Sequence, residues 1–370
     1  MAEIKKSQAG KPKKEDIIGF LEETKPEVDK TIEKYLPKKV SRKWLEMVFG
    51  KPRYEYSIES AQKSLLDPLW DLLERGGKRW RPALFLLVAE AVGGDTKRLK
   101  DFAIIPEIVH NGTLMIDDIE DMGELRRGLP CTHKKFGEDI AINAGNFMYY
   151  FPLIVLMRRK SEFKKDRVVK AYEVYVQEMI NISLGQGTDI YWHRGQAESI
   201  KEAEYLQMCA YKTGCLSRMS AKLAAALSGC NSEKIEKLGA FAEAIGVAFQ
   251  VQDDVLDIAL DEKERLEFGK PFGNDIKEGK RTLMVIHALE KADKKDRARL
   301  LEILNKHTDD LKERKEAIGI IKKYGGLEHA KGVAKLIVTN AWKDADKILE
   351  ESPAKEKLRS FANYLIERKV

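Results

Sequence analysis

The chain is poor in several things, and each shortage removes a class of explanation. It has only four cysteines in 370 residues, Cys131, Cys209, Cys215 and Cys230, with no Cys-x-x-Cys spacing. Neither a zinc site nor a disulfide framework follows from them, and reduced, buried thiols of a cytoplasmic protein are expected. An excess of one charge sign is also lacking: 66 Lys and Arg oppose 60 Asp and Glu, a formal net charge of +6. Lys5, Lys6, Lys11, Lys13 and Lys14 supply much of that surplus, so charge implies no nucleic-acid partner. No apolar run reaches about 18 residues, so no transmembrane helix is expected. The N-terminus is polar and Lys-rich, without the apolar core of a signal peptide. Alternating strand patterns and long internal repeats are missing as well.

What is present is helical periodicity. With 43% hydrophobic residues the chain can bury a large core, and the pattern predicts an all-α fold, a large helical bundle around a central cavity. Residues 1–14 read as a disordered basic tail. Residues 15–56 read as an N-terminal helical extension and connector, with Pro26 interrupting the first helix, Pro37 ending it and a short helix around Trp44. Residues 57–370 read as the catalytic domain. Helices are expected over Ser57–Arg75, Pro82–Gly93, Leu99–Ile116 (kinked at Pro106), Ala141–Met157, Lys170–Leu184 and Glu202–Ser228. The remainder after Thr282 reads as scaffold.

The chemistry concentrates in two acidic stretches. Asp117-Asp118-Ile119-Glu120-Asp121 closes the apolar run Ile104 to Ile116, and Asp253-Asp254-Val255-Leu256-Asp257 closes Ala240 to Val251. In each, the first and last Asp lie four apart, on one helix face. Like charges at that spacing destabilise a helix by roughly 0.2–0.5 kcal/mol, so a compensating cation is expected. Hard divalent cations such as Mg²⁺ take carboxylate and phosphate oxygens. If the two helices face each other, six carboxylates surround one cavity.

Cationic groups flank these stretches. Gly76-Gly77-Lys78-Arg79-Trp80-Arg81-Pro82 reads either as an anion site at a helix start or as a solvated basic turn. His110 sits seven residues, two turns, before Asp117. Arg126-Arg127 follows the first acidic stretch and offers bidentate contacts to phosphate. Gln186 and Asp189, in Gly185-Gln186-Gly187-Thr188-Asp189, serve the cavity or merely form a helix-end loop. Lys212-Thr213-Gly214 sets polar groups inside an apolar segment, and a buried Lys there needs an anionic partner. The Gly269–Gly273 stretch around Lys270 reads as a mobile loop and candidate lid.

Taken in order, Gly77 to Pro82, His110 to Gly128, Gly185 to Asp189, Lys212 to Gly214, Gln250 to Asp254 and Gly269 to Lys280 resemble the trans-isoprenyl diphosphate synthases, most closely the geranylgeranyl diphosphate synthases. The resemblance covers roughly Ser57 to Lys347. It implies an all-helical homodimer that condenses isopentenyl diphosphate with allylic diphosphates (dimethylallyl, geranyl, farnesyl) and uses Mg²⁺, three ions per site, with Mn²⁺ as a substitute. It implies that Asp117, Asp121 and Asp253 hold metal, with Asp118 supporting. Arg126, Lys212, Thr213, Gln250, Lys270 and Lys280 would bind the allylic diphosphate. Lys78, Arg81, His110 and Arg127 would bind isopentenyl diphosphate. A regulatory subunit would usually lose acidic residues that are intact here, and a terpene cyclase has no use for the second cationic set.

The resemblance also carries an expectation about product length. The tail should run back along the first acidic helix, past Gly112, about 7.5 Å before Asp117, and Thr113, with Val109 as the next level. Small side chains at this level predict growth to twenty carbons, against fifteen, or twenty-five and longer; the alternative is that Gly112 merely permits close helix packing.

Overall fold

The computed structural model describes residues 14–197, 199–259 and 272–367. In chain order the helices are α1 (Lys14–Tyr35), α2 (Arg42–Phe49), α3 (Ile58–Ala61), α4 (Asp67–Leu73), α5 (Trp80–Ala91), α6 (Thr96–Leu99) and α7 (Ile104–Glu120). A small hairpin follows, β1 (Leu125–Arg126) and β2 (Leu129–Pro130). Next come α8 (Thr132–Phe136), α9 (Glu138–Tyr150), α10 (Leu153–Arg159), α11 (Lys165–His193), α12 (Glu202–Cys209), α13 (Cys215–Ser228) and α14 (Ser232–Ala259). The chain closes with α15 (Asn274–Lys277), α16 (Leu283–Lys291), α17 (Lys294–Lys306), α18 (Leu311–Lys323), α19 (Gly326–Ile348) and α20 (Pro353–Glu367). The bundle expected from periodicity is therefore present. Its centre is α14, packed against α13 on one side and α19 on another, while α7 packs on α9 and α11 on α13. One hydrophobic core runs from Ile17 to Ala362, so residues 15–56 are part of it rather than an appendage. The basic tail, apart from Lys14, lies outside the described residues.

Several local expectations are corrected. Pro26 sits inside an unbroken α1. Its missing N–H costs about 3 kcal/mol in a helix interior. Ile17, Leu21, Val28, Ile32 and Tyr35 on both sides of it are buried, and each such burial contributes roughly 1.5–3 kcal/mol. Docking of one continuous face therefore outweighs the lost bond. The helix expected over Leu99–Ile116 begins only at Ile104, after a 3-10 turn over Lys100–Ala103, so Pro106 lies in the first turn of α7, where no intrahelical bond is lost. The helix expected over Ala141–Met157 breaks at Phe151-Pro152, where proline ends α9. The stretch Glu138–Glu162 is long and apolar enough to cross a membrane by length and composition alone, but 50% of that window is buried in protein, as in a core helix.

Two departures position chemistry. The helix expected to end at Leu184 runs on to His193, so Gly185–Asp189 is helix, not loop. Gly185 permits this: a Cβ there would lie 2.6 Å from the Tyr211 carbonyl carbon and 2.9 Å from Lys212 Cα. The segment expected as one helix over Glu202–Ser228 contains a π-turn at Ala210–Gly214. Such a turn inserts a residue and re-aims the side chains around it, here Lys212 and Thr213. No strand was expected, yet β1 and β2 pair antiparallel, Arg126 opposite Leu129. Arg127 (φ 54°) and Gly128 (φ 77°) both lie in the left-handed region, as the tight hairpin turn requires.

The N-terminal helix is pinned by Asp101, which accepts from Lys34 Nζ at 2.6 Å and Tyr35 OH at 2.8 Å, with Arg159 Nη1 at 3.3 Å. Burial pushes its carboxyl up, but Lys34 and Tyr35 outweigh that and hold it below the usual 3.8. A folded value below the unfolded one means the contribution is complete above pH 3.8 and is lost as pH falls further through the folded value. Asp101→Asn is expected to destabilise by about 1–3 kcal/mol at neutral pH. The gap in Tm from wild type should narrow well below pH 3.8. An unchanged Tm at pH 7 would contradict this anchoring.

Candidate active site

The last turn of α7 and the C-terminal half of α14 face one cavity of about 520 Å³. Its wall contains Asp117 and Glu120 from α7, Asp253 and Asp254 from α14, Asp189 from α11 and Asp275 from α15. The six carboxylates are thus not the six expected from the two motifs. Asp118 is 2% exposed and turned to the hairpin, where Arg126 Nε donates to its Oδ1 at 2.7 Å and Arg126 Nη2 binds the same oxygen. Asp257 is buried and accepts from the Asp275 backbone N–H at 3.1 Å. Both brace the walls instead of lining the space.

Lys212 is the cation the acidic cluster needs. Its Nζ lies 2.6 Å from Asp189 Oδ2 and 3.2 Å from Asp117 Oδ1. Gln186, one turn before Asp189, donates to Asp117 Oδ1 at 3.0 Å and to Glu120 Oε2 at 2.6 Å. Burial pushes the Asp117 carboxyl up, but Lys212 and Arg126 outweigh it and hold it well below the ordinary carboxylate range. The same pairing raises Lys212 against its own burial. On the α14 side, Thr213 Oγ1 donates to Gln250 Oε1 at 2.9 Å. Gln250 Nε2 reaches Asp254 Oδ1 at 2.8 Å, and Tyr205 OH donates to Asp254 Oδ2 at 2.6 Å. Lys280 lies 2.5 Å from Glu278 and 3.4 Å from Asp275.

The donors suit a hard divalent cation. All are oxygens, and burial together with Asp117 raises Asp121, while burial together with Asp275 raises Asp254. Such crowding is relieved by a cation. Among the described residues, no three His, Cys, Asp or Glu side chains form a ready metal cage. Ions of the Mg²⁺ kind take one or two carboxylates and complete their shell from phosphate and water. Of the three residues expected to hold metal, Asp117 and Asp253 line the cavity, while Asp121, the C-terminal cap of α7, does not.

The same cavity also has a cationic lining. Arg81 and His110 line the same cavity, as does Arg126. Arg81 is 4% exposed, lies over the Trp80 ring at 4.4 Å, and its Nε has no hydrogen-bond partner. Burial lowers it to about 10. Burial, with Arg79 and Arg126 nearby, also lowers Arg127 to about 10. His110 is lowered by burial and then by Arg81 and Arg127, so it is neutral near pH 7. Glu107 is the opposing charge nearest in effect to both arginines, but the buried Arg81 Nε has no hydrogen-bond partner and can receive an anion. Lys78 is exposed and Arg127 donates to the Gly76 carbonyl. These two flank the pocket rather than line it. Lys270, with Gly269 and Pro271 of the candidate lid, lies outside the described residues.

The expected corridor is corrected too. Thr113 lines the cavity, but Val109 and Gly112 do not. A Cβ on Gly112 would meet Met148 Cβ at 2.7 Å, the Gly145 carbonyl oxygen at 2.9 Å and Tyr149 Cε1 at 3.3 Å. Gly112 therefore lets α7 and α9 cross closely. The apolar wall beyond Asp117 is made instead by Thr113, Ile116, Tyr149, Met179 and Ile182. Residues missed in the sequence include Glu120 and Tyr205. Tyr205 stands seven residues before Lys212, two turns along the same helical pattern, and that spacing was a usable signal.

The polyprenyl synthetase family profile matches residues 62–321. The chain is similar to a short chain isoprenyl diphosphate synthase of Methanothermobacter thermautotrophicus, 38% identical over 329 residues, covering 89% of this chain and 98% of that one. It is also similar to a geranylgeranyl diphosphate synthase of Methanosarcina mazei, 36% identical over 297 residues, covering 80% and 87%. The solved structure of a geranylgeranyl pyrophosphate synthetase from Pyrococcus horikoshii superposes with a TM-score of 0.82 at 32% identity, covering 96% of this chain and 99% of that one.

The Gly112 assignment has a direct check. Gly112→Ala is expected to lower stability by about 1–3 kcal/mol, the usual penalty of overpacking, seen as a fall in Tm. An unchanged Tm would return Gly112 to the open cavity.

Proposed function

The chain belongs to the polyprenyl synthetase family, and from that premise we propose that it is a prenyltransferase joining isopentenyl diphosphate head-to-tail (1′-4) to allylic diphosphates, with geranylgeranyl diphosphate as main product. The observation that carries this reading is the pairing, in one cavity, of a carboxylate cluster with Arg81 and His110, where the buried Arg81 Nε has no hydrogen-bond partner. One diphosphate needs metal and must leave. The other must be held but not activated: Arg81, with Arg127 at the edge, would meet it with charge, and the neutral His110 with a hydrogen bond.

Divalent cations, taken here as three Mg²⁺ with Mn²⁺ as substitute, supply charge neutralisation of the departing diphosphate. Asp117, Asp121 and Asp253 would hold them. Lys212, released from Asp117 as the acidic cluster is neutralised, is positioned to turn to the phosphate oxygens, with Arg126 and Lys280 beside it. Thr213 and Gln250 orient that group through their hydrogen bond. The allylic C1–O bond breaks, a bond forms from allylic C1 to C4 of isopentenyl diphosphate, and a proton leaves C2. The products are the longer allylic diphosphate, inorganic diphosphate and one proton. Ile116, Tyr149, Met179 and Ile182 hold the growing tail and exclude water from the cation.

A homodimer is part of the proposal, supported by an apolar stripe on α11: Val169, Val176, Ile180, Leu184 and Tyr191 are each between 47% and 60% exposed. A cytoplasmic location is supported by four cysteines that are all free.

With Mg²⁺, labelled isopentenyl diphosphate and dimethylallyl, geranyl or farnesyl primers, label should appear in a linear twenty-carbon diphosphate, and chelation should abolish it. Asp117→Ala and Asp253→Ala should each lower kcat by about a hundredfold or more with the fold intact. Cyclic products, or turnover that survives chelation, would overturn the reading. A dominant product of another length would move only the twenty-carbon assignment.

A further inference from the structure

The N-terminal helix reaches the cationic pocket through one ion pair. Asp29 of α1 accepts from Arg79 Nε at 2.8 Å. Arg79 Nη1 donates to Glu107 Oε1 at 2.9 Å, and Nη2 to the Leu73 carbonyl at 3.0 Å. The Arg79 side chain is 3% exposed, so its charge is buried and fully engaged by α1, α4 and α7. Its backbone lies in the left-handed region at φ 48°, as the cap of α5. That conformation costs a non-glycine residue about 1–2 kcal/mol, and it persists only when the surroundings over-determine it. It also sets the direction of the neighbours: Lys78 is exposed, while Arg81, two residues on, enters the cavity.

We propose that Asp29 is a positioning residue for the second diphosphate: through Arg79 it holds the turn that places Lys78 and Arg81. The proposal rests on the reading of the Arg81 pocket as the isopentenyl diphosphate site. Asp29 touches neither the cavity nor the acidic cluster. Its loss therefore acts on one substrate only. Glu107 remains to neutralise Arg79, so no buried charge is left bare.

The test compares Asp29→Ala, Asp29→Glu and Arg81→Ala in full-length protein, measuring KM for each substrate, kcat and Tm. Asp29→Ala is expected to raise KM for isopentenyl diphosphate about tenfold, leaving KM for the allylic substrate within about twofold. Asp29→Glu, which keeps the carboxylate, should restore most of the loss. Asp29→Asn, of the same shape, carries the comparison if the Ala variant does not fold. A lower Tm with an unchanged ratio of the two KM values would overturn the proposal and leave Asp29 a structural residue. If Arg81→Ala also leaves the isopentenyl diphosphate KM unchanged, the pocket reading itself fails. If Arg81→Ala raises it and Asp29→Ala does not, only the positioning role falls.

Discussion

Two acidic helix ends face each other across one cavity, and the repulsion between them is the constraint on which the site depends. The protein meets it with its own cations. Lys212 bridges Asp117 and Asp189, Arg126 takes Asp118, and Lys280 sits among Glu278 and Asp275. Each needs a particular backbone device. The π-turn at Ala210–Gly214 aims Lys212, the contact at Gly185 brings α11 onto that turn, and the hairpin turn at Arg127-Gly128 sends Arg126 back to α7. These three irregular parts of the bundle lie where charge must be balanced.

The same cations explain how one cavity treats two similar ligands differently. Those near the carboxylates are engaged and become available only when something else neutralises the acids. Arg81 is not engaged in this way, and its buried Nε has no partner. On the proposed function, a diphosphate arriving with metal would be drawn to the first set and one arriving without metal to the second. The distinction rests on pairing, not on composition, since both sets contain Arg.

Much of this was legible in the residue order. Helical periodicity gave the bundle, and the two acidic stretches pointed to the two helices that face the cavity, though Asp121 and Asp257, the far members of the i, i+4 pairs, do not line it. What escaped depends on long-range contact. That Asp118 and Asp257 turn away from the cavity follows from Arg126 and the Asp275 N–H, which lie on other elements. That Pro26 is tolerated follows from burial on both sides of it. Gly112 looked like room for a tail because only its own helix was in view, whereas Met148 and Gly145 of α9 occupy that space. Spacing along one helix cannot reveal what stands opposite.

The central claim is that Lys212 is withheld from phosphate until the acidic cluster is neutralised. The direct measurement is the affinity of the protein for inorganic diphosphate by titration calorimetry, with and without Mg²⁺, in wild type and in Lys212→Met. Wild type should bind weakly without Mg²⁺ and at least about tenfold more tightly with it. Lys212→Met should lose most of the gain. Equal affinity in wild type with and without Mg²⁺, or an undiminished gain in Lys212→Met, would contradict the account.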